Sequence, residues 1–370
     1  MAEKTEAGLR TQTAGTANKK WDPKSGGEHR ADRLFSGVST TAGSLILALL
    51  AAVAIFLMLS SQGVFFASSE TIAEEVGFAQ GKSFWEYAGL AIFGTLLASI
   101  IALVIAVPFA VAISLFISHY APRRLSTFFG YIIDLLAAIP SVVFGLWGMW
   151  TLEPLMRPVF TTISKILTPV FTFFSGTQTE VDGVITYEGG LPGFNWLAAN
   201  FSWWPIQPDA AAFTPPARNI LMGGVILAIM ILPIITALCR EVFLQTPRLQ
   251  EEASLALGAT RWEMIKMVVL PHGRSGIVSA SMLGLGRALG ETMALLMVLS
   301  PGLMLNFKLM QPGQHSTIAS QIALKFPEAS GLESNFLIAL GLILFVITFV
   351  VNFIARMIVN RYAEFSGANA

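Results

Sequence analysis

Apolar and polar residues fall along this chain in long blocks rather than in short alternations. Residues 34–69 carry no charge at all, and their apolar centre, about 42–66, is long enough to cross a bilayer as a helix. Comparable runs at about 88–118, 125–152, 219–238, 275–299 and 334–359 bring the predicted spans to six. Pro108 predicts a kink in the second span, and Ile139-Pro140-Ser141 a bend in the third.

The polar blocks between the runs differ in character. Residues 1–33 are polar and basic and precede the first apolar run by too many positions for a secretory signal, so they read as a flexible cytoplasmic tail that can meet anionic headgroups. Residues 67–86 hold Glu70, Glu74, Glu75 and Glu86 against the single Lys82. Between 153 and 216, Pro154, Pro158, Pro169, Pro192, Pro205, Pro208, Pro215 and Pro216 argue against one long helix. That stretch reads as irregular, with Phe194, Trp196, Phe201, Trp203 and Trp204 suited to a membrane interface and 163–174 too short to span.

Charge sets the orientation. With the N-terminus inside, sixteen Lys and Arg fall on inner segments, against Lys82, Arg157, Lys165, Lys308 and Lys325 outside and Arg218 at the border. Both termini are therefore expected in the cytoplasm. Composition agrees with a membrane protein, since 54% of the residues are hydrophobic and only 12% charged. The formal net charge is zero, which leaves no electrostatic case for nucleic acid. Cys239 is the one cysteine, so an intramolecular disulfide is excluded and the residue reads as a small apolar group at a helix end.

The fold class expected is an all-α integral membrane protein of six transmembrane helices. A basic tail spans 1–36, a first transmembrane helix 37–69, and a membrane-spanning core 85–360 with an outer insertion at 153–217 and a cytoplasmic loop at 240–274. Residues 361–370 form a cytoplasmic C-terminal tail.

Two stretches carry chemistry. In the first, Glu251, Glu252 and Ala253 open a short helix of good helix formers, Gly258 ends it through a left-handed conformation, and Arg261-Trp262 resume a second amphipathic turn before Leu270-Pro271. Such a helix-break-helix suits a groove of a partner protein; the alternative is an amphipathic helix lying on lipid. In the second, Arg287 and Glu291 lie four residues apart inside an apolar run, so a continuous helix would put them on one face. Gly286 and Gly290 form a small-xxx-small pattern that lets another helix approach. Placing either charge mid-membrane costs roughly 2.5–3.5 kcal/mol, which calls for a polar cavity or a partner. Either the pair neutralises itself and locks a bundle, or Arg287 meets an anion with Glu291 holding it in place. Asp134 is a third intramembrane charge, open to pairing with Arg287 or to a structural role. His119 and His272 flank span ends, and His315 has no ligand-spaced companion, so no metal site is expected.

Glu252-Ala253-Ser254-x3-Gly258-x9-Val268-x-Leu270-Pro271 resembles the EAA-x3-G-x9-I-x-LP loop of ABC importer membrane subunits, with Ser for the third-position Ala and Val for Ile. Arg287-Ala288-Leu289-Gly290-Glu291-Thr292-Met293 and Ile139-Pro140-Ser141-Val142-Val143-Phe144-Gly145 resemble segments of the phosphate-specific (Pst) ABC importer permeases. The basic tail and outer insertion favour the PstC-type subunit over its PstA-type sister. The resemblance covers most of 85–360 and implies a type I (MetI-like) permease fold and inorganic phosphate as cargo. It also implies pathway or gating roles for Arg287 and Glu291, and a docking role for Glu252 and Gly258. Implied partners are a PstA-like sister permease, a homodimeric PstB-like ATPase, a PstS-like extracytoplasmic phosphate-binding protein and membrane lipid. No GxxxxGK[ST] phosphate loop occurs, so no cofactor is expected on this chain, and ATP and Mg belong to the ATPase partner. Rival readings are an importer of another oxyanion or small solute and a secondary transporter in which Arg287, Glu291 and Asp134 relay ions. A membrane enzyme is disfavoured, because no HExxH, Cys/His cluster or nucleophile with a base appears.

Overall fold

The structure, a computed structural model, describes the backbone of residues 28–181 and 184–365 and the side chains of 33–180 and 185–358. Most of the basic tail and the end of the C-terminal tail read from the sequence lie outside the described residues. The chain divides into two compact units, 1–56 and 57–370.

The first unit holds most of α1 (Glu28–Phe65). The helix begins inside the segment expected to be tail. Every described side chain from 33 to 53 is exposed within the chain, as an all-round apolar helix requires when lipid is its solvent.

The second unit is built on a pair of long helices, α3 (Phe84–Leu115) and α9 (Ile220–Leu244), which share the most extensive contact in the molecule. It also includes the last residues of α1 and the short α2 (Ser69–Glu75). Ala91, Ala98, Ala102, Ala106 and Ala110 make a buried stripe on α3, and the small side chains let backbones come close. Gly224 of α9 sits so near α3 that a Cβ there would meet Ile101 Cγ2 at 2.4 Å. Pro108 is accommodated inside α3, which closes with one π turn at Phe116–Tyr120. A second core cluster gathers around Phe336 of α15 (Leu332–Phe365), whose ring meets Phe78, Phe84 and Tyr87 edge-on at 5.5, 5.0 and 5.2 Å.

The third predicted span is not one helix. α4 (Arg123–Ala137) ends at the Ile139-Pro140 segment, and the chain turns by 92° into a helical run from 141 to 175. That run comprises α5 (Ser141–Trp147), a π turn (Gly148–Leu152) and α6 (Glu153–Ser175). The sequence reading of 153–216 as irregular is corrected here, since 153–175 is helical through Pro154, Pro158 and Pro169. Pro154 lies in the first turn of α6, directly after the π turn. The Thr161 and Thr162 hydroxyls donate back to the Arg157 and Pro158 carbonyls, both at 2.8 Å. Beyond α6 come an antiparallel hairpin, β1 (Thr177–Val181) with β2 (Val184–Glu188), then α7 (Phe194–Asn200) and α8 (Pro208–Ala211).

After α9 the chain runs through α10 (Arg248–Ala256), α11 (Arg261–Met264), a π turn (Ile265–Val269) and α12 (Leu270–Leu289). α13 (Met293–Val298) and α14 (Ile318–Lys325) precede α15. The fifth predicted span, 275–299, is therefore two helices, α12 and α13, with a break at 290–292. Among the described residues four helices are long and apolar enough to cross a membrane, with a fifth if the bent α4–α6 pair counts as one. α12 falls short because His272, Arg274 and Arg287 dilute its apolar residues.

Candidate functional site

The segment from 248 to 271 forms from local rules. Pro247 precedes α10, the Ser254 hydroxyl donates to the Glu251 carbonyl at 2.8 Å, and the helix stops at Gly258. Gly258 has φ +90°, and its N–H donates to the Leu255 carbonyl at 3.0 Å while Ala259 N–H reaches Ser254 at 3.2 Å. A Cβ on Gly258 would touch nothing within 4 Å, so the backbone conformation rather than space calls for glycine. Thr260 then opens α11 with a capping box. Its hydroxyl accepts from Glu263 N–H at 3.3 Å, and the Glu263 carboxylate accepts from Thr260 N–H at 2.8 Å. These bonds from the Thr260 N–H and hydroxyl hold the Glu263 carboxyl below its usual range. The sequence reading of helix, glycine stop and second helix holds; the Thr260–Glu263 box was missed, although its T-x-x-E spacing is a local signal.

No residue of α10 is buried. Glu252, Ala253 and Gly258 are exposed, as are Leu249, Leu257 and Trp262, while Met264, Ile265 and Val269 anchor the segment in the core. Pro271 sits in the first turn of α12 and Leu270 is half-buried. Glu251 ties α10 to the far end of α3, its Oε1 lying 3.5 Å from His119 Nε2. His119 Nδ1 sits 2.7 Å from the Ser118 hydroxyl. Sequence reasoning placed His119 at a span end without naming Glu251, because the pairing spans more than 130 positions and only the fold brings it about.

The charged stretch is rearranged relative to expectation. α12 packs on α9 through Gly273, Gly276 and Gly284, where added Cβ atoms would meet Phe243, Val242 and Ile235 at 2.6, 2.5 and 2.7 Å. Gly286 and Gly290, the glycines singled out in the sequence, have only ordinary neighbours within this chain, Asn352 Oδ1 at 3.9 Å and the Gly286 carbonyl at 3.7 Å. α12 stops at Leu289, so Arg287 and Glu291 do not share one helix face and make no ion pair among the described residues. Arg287 is exposed in the last turn of α12. Glu291 is buried beyond the break and its Oε1 accepts from Ala294 N–H at 3.1 Å in the first turn of α13.

This arrangement has its own electrostatic logic. The cation stands at the C-terminal end of one helix and the anion at the N-terminal end of the next, each opposite the partial charge of its helix. A broken helix also exposes backbone groups, which membranes tolerate where protein or a polar cavity surrounds them. Gly290 is exposed and Thr292 half-exposed there, and the Thr292 hydroxyl donates to the Gly290 carbonyl at 3.2 Å, so Arg287 and this turn form one polar step beside buried Glu291. The Gly290-Glu291-Thr292 triplet, a helix stop followed by residues that start helices, is the signal that could have marked the break.

Asp134 is exposed near the end of α4 and pairs with neither Arg287 nor any other cation among the described residues. Arg240 of α9 lies against Gly130 of α4, where a Cβ would meet its Nη1 at 3.1 Å. Two further polar nodes were missed. Buried Glu153 accepts from Arg157 Nε and from Ala217 N–H, both at 2.9 Å, and so clasps the two ends of the 153–217 insertion. The Glu-x3-Arg spacing was legible in the sequence; the Ala217 partner was not. Lys308 pairs with Asp209, joining α8 to the loop after α13.

Among the described residues no group of His, Cys, Asp and Glu is placed to hold a metal ion.

Comparison with known proteins gives consistent relatives. A family model described as "Binding-protein-dependent transport system inner membrane component" matches residues 106–364. "Phosphate transport system permease protein PstC 2" of Mycobacterium tuberculosis is 40% identical over 344 residues, 89% of this chain and 92% of that protein. "Phosphate transport system permease protein PstC" of Mesorhizobium japonicum is 36% identical over 347 residues, 91% and 92% of the two chains. The protein of that name from Haemophilus influenzae is 35% identical over 342 residues, 91% and 95% of the two chains. The family model extends over both the 248–271 segment and the break at 290–292. This chain belongs to the binding-protein-dependent transport system inner membrane components, among the PstC-type permeases.

Proposed function

We propose that this chain is the membrane-spanning subunit of an ATP-driven importer that carries inorganic phosphate across the bacterial cytoplasmic membrane. The observation that carries the reading is a single continuous run. An exposed, unburied α10 leads through the Gly258 turn and α11 into α12, and α12 ends at exposed Arg287 and the break. A push on α10 is thereby delivered to the polar step with one helix between them. Phosphate as cargo follows from the relatives' names and suits a guanidinium, which forms forked bonds to tetrahedral oxyanions.

In this reading the chain crosses the membrane six times with both termini in the cytoplasm, α12 and α13 together serving as the fifth span. A homodimeric ATPase seats the 249–266 loop, Glu252, Ala253 and Gly258 included, and binds and hydrolyses ATP with Mg. The chain itself is non-catalytic and holds no cofactor. A sister permease completes the pathway, and an extracytoplasmic phosphate-binding protein delivers the anion. ATP binding closes the ATPase pair and moves α10; the bundle opens outward, accepts phosphate at Arg287, and returns after hydrolysis. Buried Glu291 keeps the site from holding its anion too tightly, because a carboxylate beside the path repels the departing phosphate.

The test is radiolabelled phosphate uptake into proteoliposomes holding the complete set of subunits. Arg287→Ala removes a charge-assisted contact of about 1.5–3 kcal/mol, so uptake falls roughly 10- to 150-fold while ATPase association is retained. Uptake that persists without ATP sinks the importer reading. Competition by excess sulfate moves the cargo to another oxyanion.

A further inference from the structure

A cavity of about 190 Å³ opens beside the first turn of α3, at the opposite end of that helix from the Glu251–His119 contact. α3 is 32 residues long, which puts the two ends about 48 Å apart. Lys82, Tyr87, Gln321 and Lys325 line the cavity, with Phe78 and Leu303 as apolar wall. Both lysines are half-buried, and neither makes an ion pair among the described residues. No carboxylate lines the space. Among nearby acids, Glu333 lies against Gly77, Glu328 follows Lys325 and exposed Glu86 stands on the first turn of α3, each outside the wall.

The polar groups are held in place. Lys82 follows Gln80 and Gly81, with φ +54° and +76°, and its N–H donates to the buried Ala79 carbonyl at 3.0 Å. Gln80 is the one non-glycine residue with positive φ among those described, a conformation that persists only where surroundings enforce it. Opposite, α14 is fixed at its start by Thr95, whose hydroxyl accepts from Ile318 N–H at 2.9 Å, and it ends at Lys325. Gln321 is 4% exposed, and its Oε1 accepts from the Tyr87 hydroxyl at 3.0 Å. That bond orients the amide and leaves Nε2, a donor, without an acceptor among the described residues.

Two ammonium groups and an oriented amide, with no competing carboxylate, form a donor-only set that matches an oxyanion. The volume is below that of pockets for drug-sized ligands and suits a small polyatomic ion. A second, smaller cavity shares Pro301, Gln321 and Leu324 with it and reaches Leu295 and Leu296 of α13, the helix that Glu291 caps. The cavity thus lies along the approach to the break.

We propose that this cavity is a binding site for a phosphoryl oxyanion, held by Lys82, Lys325 and the Gln321 amide. Free inorganic phosphate on its way to Arg287 is one source of that chemistry, which rests on the importer reading; the headgroup of an anionic lipid is the other.

The test uses the full chain in nanodiscs of phosphatidylcholine, with amine-acylation rates at each lysine followed by mass spectrometry. Saturating phosphate slows Lys82 and Lys325 at least about tenfold relative to chloride of equal ionic strength, while exposed Lys165 is unchanged. That result assigns the site to free phosphate. Slowing that needs phosphatidylglycerol in the disc and ignores added phosphate assigns it to a lipid headgroup. No slowing under either condition overturns the proposal. In parallel, the complete transporter carrying K82Q and K325Q is compared with the unaltered one for uptake. If the unaltered transporter carries no phosphate, the importer reading fails and the labelling still judges the cavity. If it transports while labelling is insensitive and K82Q/K325Q keeps full uptake, the cavity proposal alone fails.

Discussion

Gly258→Ala isolates one backbone angle in the segment proposed to receive force from the ATPase. Gly258 holds φ +90°, and a Cβ there would have nothing within 4 Å. The substitution therefore adds no clash within the chain, and its whole effect is the cost of a left-handed conformation for an L-residue, about 1–2 kcal/mol. That lowers the population of the correctly turned α10–α11 segment by a factor of roughly 5–30. Asparagine visits the left-handed region far more readily, and the open space accommodates its side chain, so Gly258→Asn should recover most of the loss. The assay is ATPase activity and phosphate uptake in the reconstituted complex, with retention of the ATPase subunit on the immobilised permease as a binding readout. The expected order is glycine, then asparagine close behind, then alanine well below. If asparagine is as poor as alanine, side-chain volume against the partner decides and the conformational argument is refuted. If alanine matches glycine, the turn does not transmit force.

Two further outcomes test the packing and the electrostatics. Gly94→Ala places a Cβ 2.2 Å from the Ser316 carbonyl oxygen, a backbone atom with no rotamer to yield, so the purified protein should lose about 1–3 kcal/mol and its unfolding midpoint should drop. His315 is buried with Nε2 2.7 Å from the Asn306 carbonyl; burial lowers its pKa below 6.5 and that carbonyl pulls the other way. Its neutral form is thus favoured on folding, so its contribution is complete above pH 6.5 and is lost as pH falls toward the lowered folded value. Thermal unfolding midpoints across pH 8 to 5 should decline below that point, and His315→Gln, whose amide can donate to the same carbonyl, should flatten the decline.

Local features were legible and long-range ones were not. Gly258 as a helix stop followed from its neighbours, because a left-handed cap depends on a handful of adjacent residues. The bend near Pro140 was also anticipated, yet its size, 92°, and the helix continuing through Pro154, Pro158 and Pro169 were not. A proline inside a helix frees and crowds the carbonyl four residues back, and whether the helix bends, breaks or continues there depends on packing that no local pattern names. Arg287 and Glu291 were singled out as neighbours on one helix. Their expected common face failed because period counting assumes an unbroken helix, and Gly290 ends this one.

The sequence by itself determined that the chain is a helical membrane protein, where most apolar helices lie, and that a helix-glycine-helix segment leads into a charged stretch. These follow from apolar run length, from the φ preferences of glycine and proline, and from the family motifs. Tertiary structure alone decided that Glu251 meets His119, that Glu153 closes the insertion through Ala217, and that Lys82 and Lys325 share one cavity. Each joins groups far apart in the chain, and such contacts are set by how closely α3, α9 and α12 pack. That closeness depends on a few buried glycines and alanines, whose neighbours no local pattern names.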